Sequence, residues 1–287
     1  MIDLHTHSTA SDGSFTPANL AAHAADAGIR TFALTDHDTL AGNSEAAAEA
    51  SRLGIGFLAG IELDVEWEPG ECHLLGLGLD IGAPAGLVDL EALATALRSD
   101  REERNREIAD RMRADGLDVE YAGVQALSPN GVVGRPHFAR YLADRGIVRN
   151  RQQAFDRYLA KDRPYYVPRK GVSLDAAVAA IRAAGGLPIL AHPLSLYVSW
   201  GHIPSILTDF RDRGVVGIEA WHPAVRVVDG KRLEALAGEL GLLVTAGSDF
   251  HGEARPDRKI GRTAGRLAID DRYLPEPLAA RVAFPAS

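Results

Sequence analysis

A single cysteine, Cys72, stands among 287 residues. One thiol excludes an intramolecular disulfide framework and cannot build a thiolate metal site, so any metal here must be held by histidine and carboxylate. No apolar run reaches the ~18 to 20 residues that a membrane-spanning helix needs. The start, MIDLHTHS, lacks the basic and apolar regions of a signal peptide. A cytoplasmic protein without membrane association is therefore expected. Basic residues (31) are outnumbered by acidic ones (39), and the net charge of -8 argues against a stable complex with long nucleic acid. Attraction for a small anion must then be local. There is no internal repeat and no low-complexity tract. The 46% hydrophobic content is enough, over this length, for one large domain or a domain with an insert.

Short apolar runs alternate with alanine-rich helical patterns. MIDLH, TFALTDH, GFLAGIEL, LPILAHP, VVGIEAWH and LLVTAGSDFH read as strands. Thr16-Pro17 followed by ANLAAHAADAG reads as an N-cap, a proline at the first helical position and a glycine stop, and residues 173 to 184 repeat that logic from Ser173. Such alternation predicts an α/β fold of parallel strands joined by helices, with active groups at the carboxyl ends of the strands. The stretch VEWEPGECHLLGLGL reads as a β-hairpin turning at Pro69-Gly70 and carrying His73 outward. From about residue 87 the pattern becomes charged and helical. Residues 99 to 169 are expected to form an inserted small helical subdomain, with 1 to 98 and 170 to 287 forming the main domain.

His5-Thr6-His7 lies on an extended segment, where alternate side chains share a face and both imidazoles can reach one ion. Asp12 follows on a loop. His37 comes after the second strand, Glu62 with the third, His73 on the hairpin, His192 after the next strand, and Asp249 with His251 after the last. Six histidines and three carboxylates are thus expected on one face. Nine nitrogen and oxygen ligands suit Mn, Fe, Zn or Mg and exceed what one ion can use, so two or three divalent ions are implied.

The ordered motifs DLHTHS, TDHD, GIEL, ECHLLG, AHP and GSDFH span the chain, and with them it resembles the PHP (polymerase and histidinol phosphatase) superfamily of amidohydrolase-like barrels. The resemblance implies a distorted (β/α)7 barrel with a metal cluster. In it His5, His7, Glu62 and Asp249 would hold a first ion, Glu62, His73 and His192 a second, and Asp12, His37 and His251 a third, although many relatives carry histidine where Asp12 stands. The helical insert and the motif GRPHFAR are similar to those of a stand-alone subgroup. That similarity implies hydrolysis of the 3′-phosphate of nucleoside 3′,5′-bisphosphates to nucleoside 5′-monophosphates, and of short 5′-phosphorylated oligonucleotides from the 5′ end. The expected partner is a small nucleotide or short oligonucleotide, with manganese the first candidate ion.

Phosphoester hydrolysis needs a nucleophile at neutral pH and positive charge on the phosphoryl oxygens. Coordination lowers the pKa of water toward ~7, so ions supply both and no nucleophilic side chain is required. Ser8 and Cys72 accordingly read as a loop serine and a buried thiol. A second phosphate would need further cations. Arg135, before Pro136 at a helix start, and Lys170 in VPRKG are candidates, and His222 in EAWHP is expected to donate to phosphate or protonate the leaving oxygen. Ser195 and Asn19 are candidate donors at the mouth. Trp221 reads as core, His23 as a partly exposed helical residue, and His137 and His202 as helix-start residues. The run from Arg98 to Arg113 reads as a solvated helix face. The alternatives are a small phosphomonoesterase of the histidinol-phosphate type and a non-catalytic nucleotide-binding module.

Overall fold

The computed structural model describes residues 1–128 and 132–284, which contain two compact units, Met1–Thr95 with the chain from Gly171, and Ala96–Lys170. In the first unit the apolar runs become seven strands hydrogen-bonded in chain order: β1 (Ile2–Asp3), β2 (Thr31–Leu34), β3 (Gly56–Val65), β4 (Cys72–Leu77), β5 (Leu187–Leu190), β6 (Gly217–Trp221) and β7 (Leu243–Ala246). Strands β1 to β3 and β5 to β7 pair in parallel, and β4 runs antiparallel to both of its neighbours. The sheet nearly closes into a barrel. Leu4 N–H donates to Ala246 O at 3.3 Å and His7 N–H to Phe250 O at 2.9 Å, joining the first strand to the last. Asp3 reinforces that seam by accepting the N–H groups of Ser248 (2.9 Å) and Gly261 (2.7 Å).

The helices that cover the strands start where the capping residues predict. In α1 (Pro17–Asp26) the Thr16 hydroxyl accepts the Asn19 N–H at 3.2 Å. The helix α2 (Asn43–Leu53) follows. A long α3 (Pro84–Ala114) begins in the first unit and ends in the second. The second unit contains α4 (Tyr121–Gln125), α5 (Arg135–Asp144) and α6 (Arg151–Ala154), packed around Ile108, Met112, Val124, Phe138 and Leu142, and no strand lies among its described residues. Back in the barrel unit, α7 (Leu174–Ala183) is capped by the Ser173 hydroxyl, which accepts the Ala176 N–H at 3.3 Å, and α8 (Ile203–Asp212) and α9 (Val227–Leu240) complete the crossovers.

The charged face of α3 carries ion pairs one turn apart, Glu102 with Arg106 and Glu107 with Arg111, as the mixed-charge pattern predicts, while Arg104 is the buried exception. Trp221 is core, its indole N–H donating to Glu234 at 2.7 Å. His137 and His202 act at helix starts: the His137 ring accepts the Gly134 N–H, and the His202 ring pairs with the Ser199 hydroxyl.

Candidate metal centre

All ten residues of β3 are buried, as the nearly continuous apolar run requires of a strand covered on both faces, so Glu62 is a carboxylate enclosed within the barrel. The structure brings the imidazoles to it. Its Oε2 lies 3.3 Å from His5 Nε2, 3.3 Å from His7 Nε2 and 3.1 Å from His37 Nδ1, and its Oε1 lies 2.8 Å from His73 Nδ1 and 3.2 Å from His192 Nε2. His73 reaches this place because β4 is antiparallel: its first residues lie where the parallel strands end, and His73 pairs in register with Asp64. The expectation that His73 points outward is corrected. Its ring is buried and turned to Glu62 by the register of the hairpin.

Asp249 forms the second pole. Its Oδ1 lies 3.2 Å from His7 Nε2, 3.3 Å from His251 Nδ1 and 3.6 Å from His5 Nε2. Asp12 completes a third corner, 3.2 Å from His251 Nε2 and 3.8 Å from His7 Nδ1. Ligand atoms mutually within 4.8 Å form four overlapping groups: His5, His7 and Asp249; His5, Glu62 and His192; His37, Glu62 and His73; and His7, Asp12, His37 and His251. Every one of the nine sequence-selected residues falls in at least one of them.

This donor set fits divalent ions. Four buried atoms of ligand type, His7 Nδ1, His37 Nδ1, Glu62 Oε2 and His251 Nε2, make no hydrogen bond of acceptable geometry despite their close neighbours. Lone pairs aimed at common points rather than at donors are what a metal centre requires. Burial pushes the imidazoles of His37, His192, His222 and His251 below their usual value, His251 to about 4, which keeps them neutral at pH 7. Burial alone would raise the Glu62 carboxyl, but His37, His5 and His73 around it hold it well below the carboxylate range. Burial likewise opposes charge on His5 and His73, yet Glu219 with Glu62, and Glu62 with Asp64, raise these two to about 10. A dication competes with the proton for those same carboxylates.

The candidate ligands are themselves held by neighbours. Ser195 Oγ donates to Glu71 O at 2.9 Å, so towards His192 Nδ1, also at 2.9 Å, it can only accept. The His192 proton is thereby fixed on Nδ1, and Nε2 keeps its lone pair for the centre. Glu219 accepts from His5 Nδ1 at 3.0 Å and from the His192 N–H at 3.0 Å. Asp64 lies 2.8 Å from His73 Nε2. Asp36 accepts the Ser8 N–H and hydroxyl at 2.7 and 2.6 Å, which fixes the loop leading to Asp12 and gives Ser8 a structural task. His192 and Asp249 adopt positive φ (27° and 49°), a backbone state costing about 1–3 kcal/mol that side chains at functional sites tolerate when their surroundings enforce it.

Beside the cluster is a cavity of about 300 Å³, lined by Ser195, Tyr197, His222, Arg255 and Arg258 among others. Ser195 reaches it with its hydroxyl already engaged by His192 and Glu71. His222 also lines it, with both ring nitrogens already engaged. The Ala224 N–H donates to Nδ1 at 3.1 Å, so the neutral ring carries its proton on Nε2 and donates to Asp249 Oδ2 at 3.1 Å. Burial holds the ring well below its ordinary pKa, which disfavours the imidazolium that a general acid needs. Asn19 is not brought to the cavity: it is exposed on the first turn of α1 and does not line the space. Arg135 and Lys170 belong to the second unit. The Arg135 guanidinium lies 5.4 Å over the Tyr166 ring, and the exposed Lys170 ammonium is 3.8 Å from Asp100.

Sequence reasoning did not assign Glu219, Asp64, Arg255 or Arg258. The signal for the arginines was their spacing, three apart in GEARPDRK directly after GSDFH.

Residues 3–161 match the PHP domain family. The chain is 36% identical over 286 residues to a 3′,5′-nucleoside bisphosphate phosphatase of Chromobacterium violaceum, covering 99% of each. It is 37% identical over 249 residues to a 5′-3′ exoribonuclease of Haemophilus influenzae, covering 87% of this chain and 89% of that protein. A solved structure from Bifidobacterium adolescentis, ascribed to the metal-dependent phosphoesterases, superimposes with a TM-score of 0.80 at 28% identity, covering 95% of each chain.

Proposed function

The chain belongs to the PHP domain family, and from that premise we propose that it removes the 3′-phosphate of nucleoside 3′,5′-bisphosphates and trims short 5′-phosphorylated oligonucleotides from the 5′ end. It is a metal-dependent hydrolase of phosphoester bonds. The observation that carries this reading is Glu62, one buried carboxylate within 3.3 Å of five imidazoles. Such a constellation stabilises little unless cations share it, because three of its atoms, His7 Nδ1, His37 Nδ1 and Glu62 Oε2, are left without hydrogen bonds.

Two or three divalent ions, manganese first among Mn, Fe, Zn and Mg, are held in this reading by His5, His7, Glu62 and Asp249, by Glu62, His73 and His192, and by Asp12, His37 and His251. Bound there, such ions would lower the pKa of a water toward neutral pH and set positive charge against the phosphoryl oxygens. The chain's own residues do the rest. Glu219, Ser195 and Asp64 fix the rings of His5, His192 and His73 so that each presents one chosen nitrogen. His222 serves as a neutral donor that steadies Asp249 and walls the cavity. Arg135 and Lys170 are proposed as phosphate-binding cations of the second unit. Tyr197, exposed at the cavity mouth, offers a ring on which a base can stack. No described helix is long and apolar enough to cross a membrane.

The test is phosphate release by manganese-loaded protein from adenosine 3′,5′-bisphosphate, adenosine 5′-monophosphate and histidinol phosphate. Preference for the bisphosphate is expected. Release from histidinol phosphate alone would keep the metal centre and replace the substrate, and inactivity on all three and on oligonucleotides would overturn the assignment.

A further inference from the structure

We propose that Arg258, assisted by Arg255, grips the phosphoryl group that is transferred to water; this rests on the phosphoesterase reading above. The two oxygens of Asp249 meet different neighbours. Oδ1 faces His7, His251 and His5 at 3.2, 3.3 and 3.6 Å. Oδ2 faces away from that cluster, 3.1 Å from His222 Nε2, in contact with Arg258 Nη1 and 3.7 Å from Arg255 Nη1. One carboxylate therefore has a metal-ligating edge and a guanidinium edge. An anion that touches ions held on the first edge lies beside the guanidinium on the second.

Arg258 is suited to that place by its burial. Its side chain is only 12% exposed, so its charge acts in a medium where screening by water is weak. Among the described residues, the contacts of Arg258 with Asp249 and His222 are all made by Nη1. Nε and Nη2 remain as a fork that matches two phosphoryl oxygens. Among the described residues, Arg258 and Arg255 are also the guanidinium groups that line this cavity, and no lysine lines it. Asp249 is their common carboxylate partner, and once its charge is drawn towards ions on Oδ1, the pair retains positive charge for a phosphomonoester dianion.

In the reaction, a water oxygen forms a new bond to phosphorus as the ester P–O bond breaks. One water proton ends on the released alcohol, and the phosphoryl oxygens carry the charge that Arg258 stabilises. Arg255, 41% exposed, sits nearer solvent and contributes less.

The test compares Arg258→Gln, Arg258→Lys and Arg255→Gln with the wild-type, metal-loaded enzyme. The readouts are kcat and KM, metal per chain by elemental analysis, and affinity for inorganic phosphate by calorimetry. For Arg258→Gln the expectation is a fall in kcat/KM of about 10²- to 10³-fold, the usual consequence of removing one preorganised donor of this kind. Phosphate affinity should weaken at least about 10-fold through loss of the charge-assisted fork, with metal content unchanged. Lysine should restore little, since an ammonium cannot form the fork, and it carries the test if the glutamine variant does not fold. Unchanged phosphate affinity, or activity lost only in proportion to lost metal, would overturn the proposal and make Arg258 a support for Asp249. A wild-type enzyme inactive on every phosphate ester would instead remove the phosphoesterase reading itself.

Discussion

Glu219→Gln is a nearly isosteric change that tests whether the metal centre depends on residues beyond its ligands. Glu219 is buried at 1% exposure, and although burial would raise its carboxyl, His5 beside it holds it down at about 2, so it is ionised and accepts only. One oxygen accepts from His5 Nδ1 and the other from the His192 N–H, each at 3.0 Å. Glutamine keeps one of these bonds and turns an amide N–H₂ towards the other donor. Loss of a hydrogen bond to a charged group costs roughly 1.5–3 kcal/mol. At about 1.4 kcal/mol per factor of ten, that weakens the grip of His5 and His192 by about 10- to 100-fold, the range found when a metal ligand loses its supporting partner. The assay is manganese affinity by competition with a chelating dye, with the Tm of metal-free protein measured in parallel. Affinity within about 3-fold of wild type, below the smallest loss worked above, would refute the reasoning. If only the Tm fell, Glu219 would be a core residue with no hold on the centre.

Ser195→Ala should free the His192 ring to take the other tautomer, lowering metal occupancy and activity about 10-fold; equal occupancy by elemental analysis would contradict it. Asp12 should be the weakest anchor, its side chain 24% exposed against 1% for Glu62 and 7% for Asp249. Dialysis against a weak chelator is expected to remove first the ion that Asp12 shares, and Asp12→Asn should lose one ion while keeping the others; simultaneous loss of all would refute the ranking. Burial raises the Cys72 thiol from its ordinary value near 9 to about 12. Because the folded pKa is the higher one, the stabilisation it represents is present below about pH 9 and lost as pH rises towards 12. A thiol reagent at pH 8 should therefore label unfolded but not native protein, and rapid native labelling would contradict the burial.

The fold and the clustering of these side chains were legible in the sequence for one physical reason. Parallel strands place chemistry at their carboxyl ends, so histidines and carboxylates standing after apolar runs, as His37, His192 and Asp249 do, announce both a strand and a site. His73 shows the limit of that rule. It stands at the beginning of its strand, and its approach to Glu62 depends on the antiparallel register that pairs Asp64 with His73. The supporting residues were harder still. Glu219 meets His5 across 214 positions of sequence, and no local pattern distinguishes it from any other polar residue in a strand. Arg258 lies in irregular chain after β7, where periodicity has nothing to report. Asn19 failed for the opposite reason: its segment was read correctly as a helix start, but helix capping consumes the backbone there and leaves the side chain in solvent.

The position of Glu62 explains why the centre requires a closed sheet. A carboxylate at a strand terminus would be reached by neighbours on its own side only. Glu62 stands three residues before the end of β3, inside the ring of strands, and the rings that surround it come from the segments after β1, β2 and β5 and from β4. These elements are adjacent in space only because the strands pair in chain order and the last returns to the first through Leu4 and His7. Three of these rings, His5, His73 and His192, are held by Glu219, Asp64 and Ser195 outside the cluster, so these donors are ordered before any ion arrives and little affinity is lost in arranging them. Closure of the barrel and preorganisation of the ligands are thus one structural fact, and a lesion in the seam at Asp3 should reach the centre through His5, two residues away.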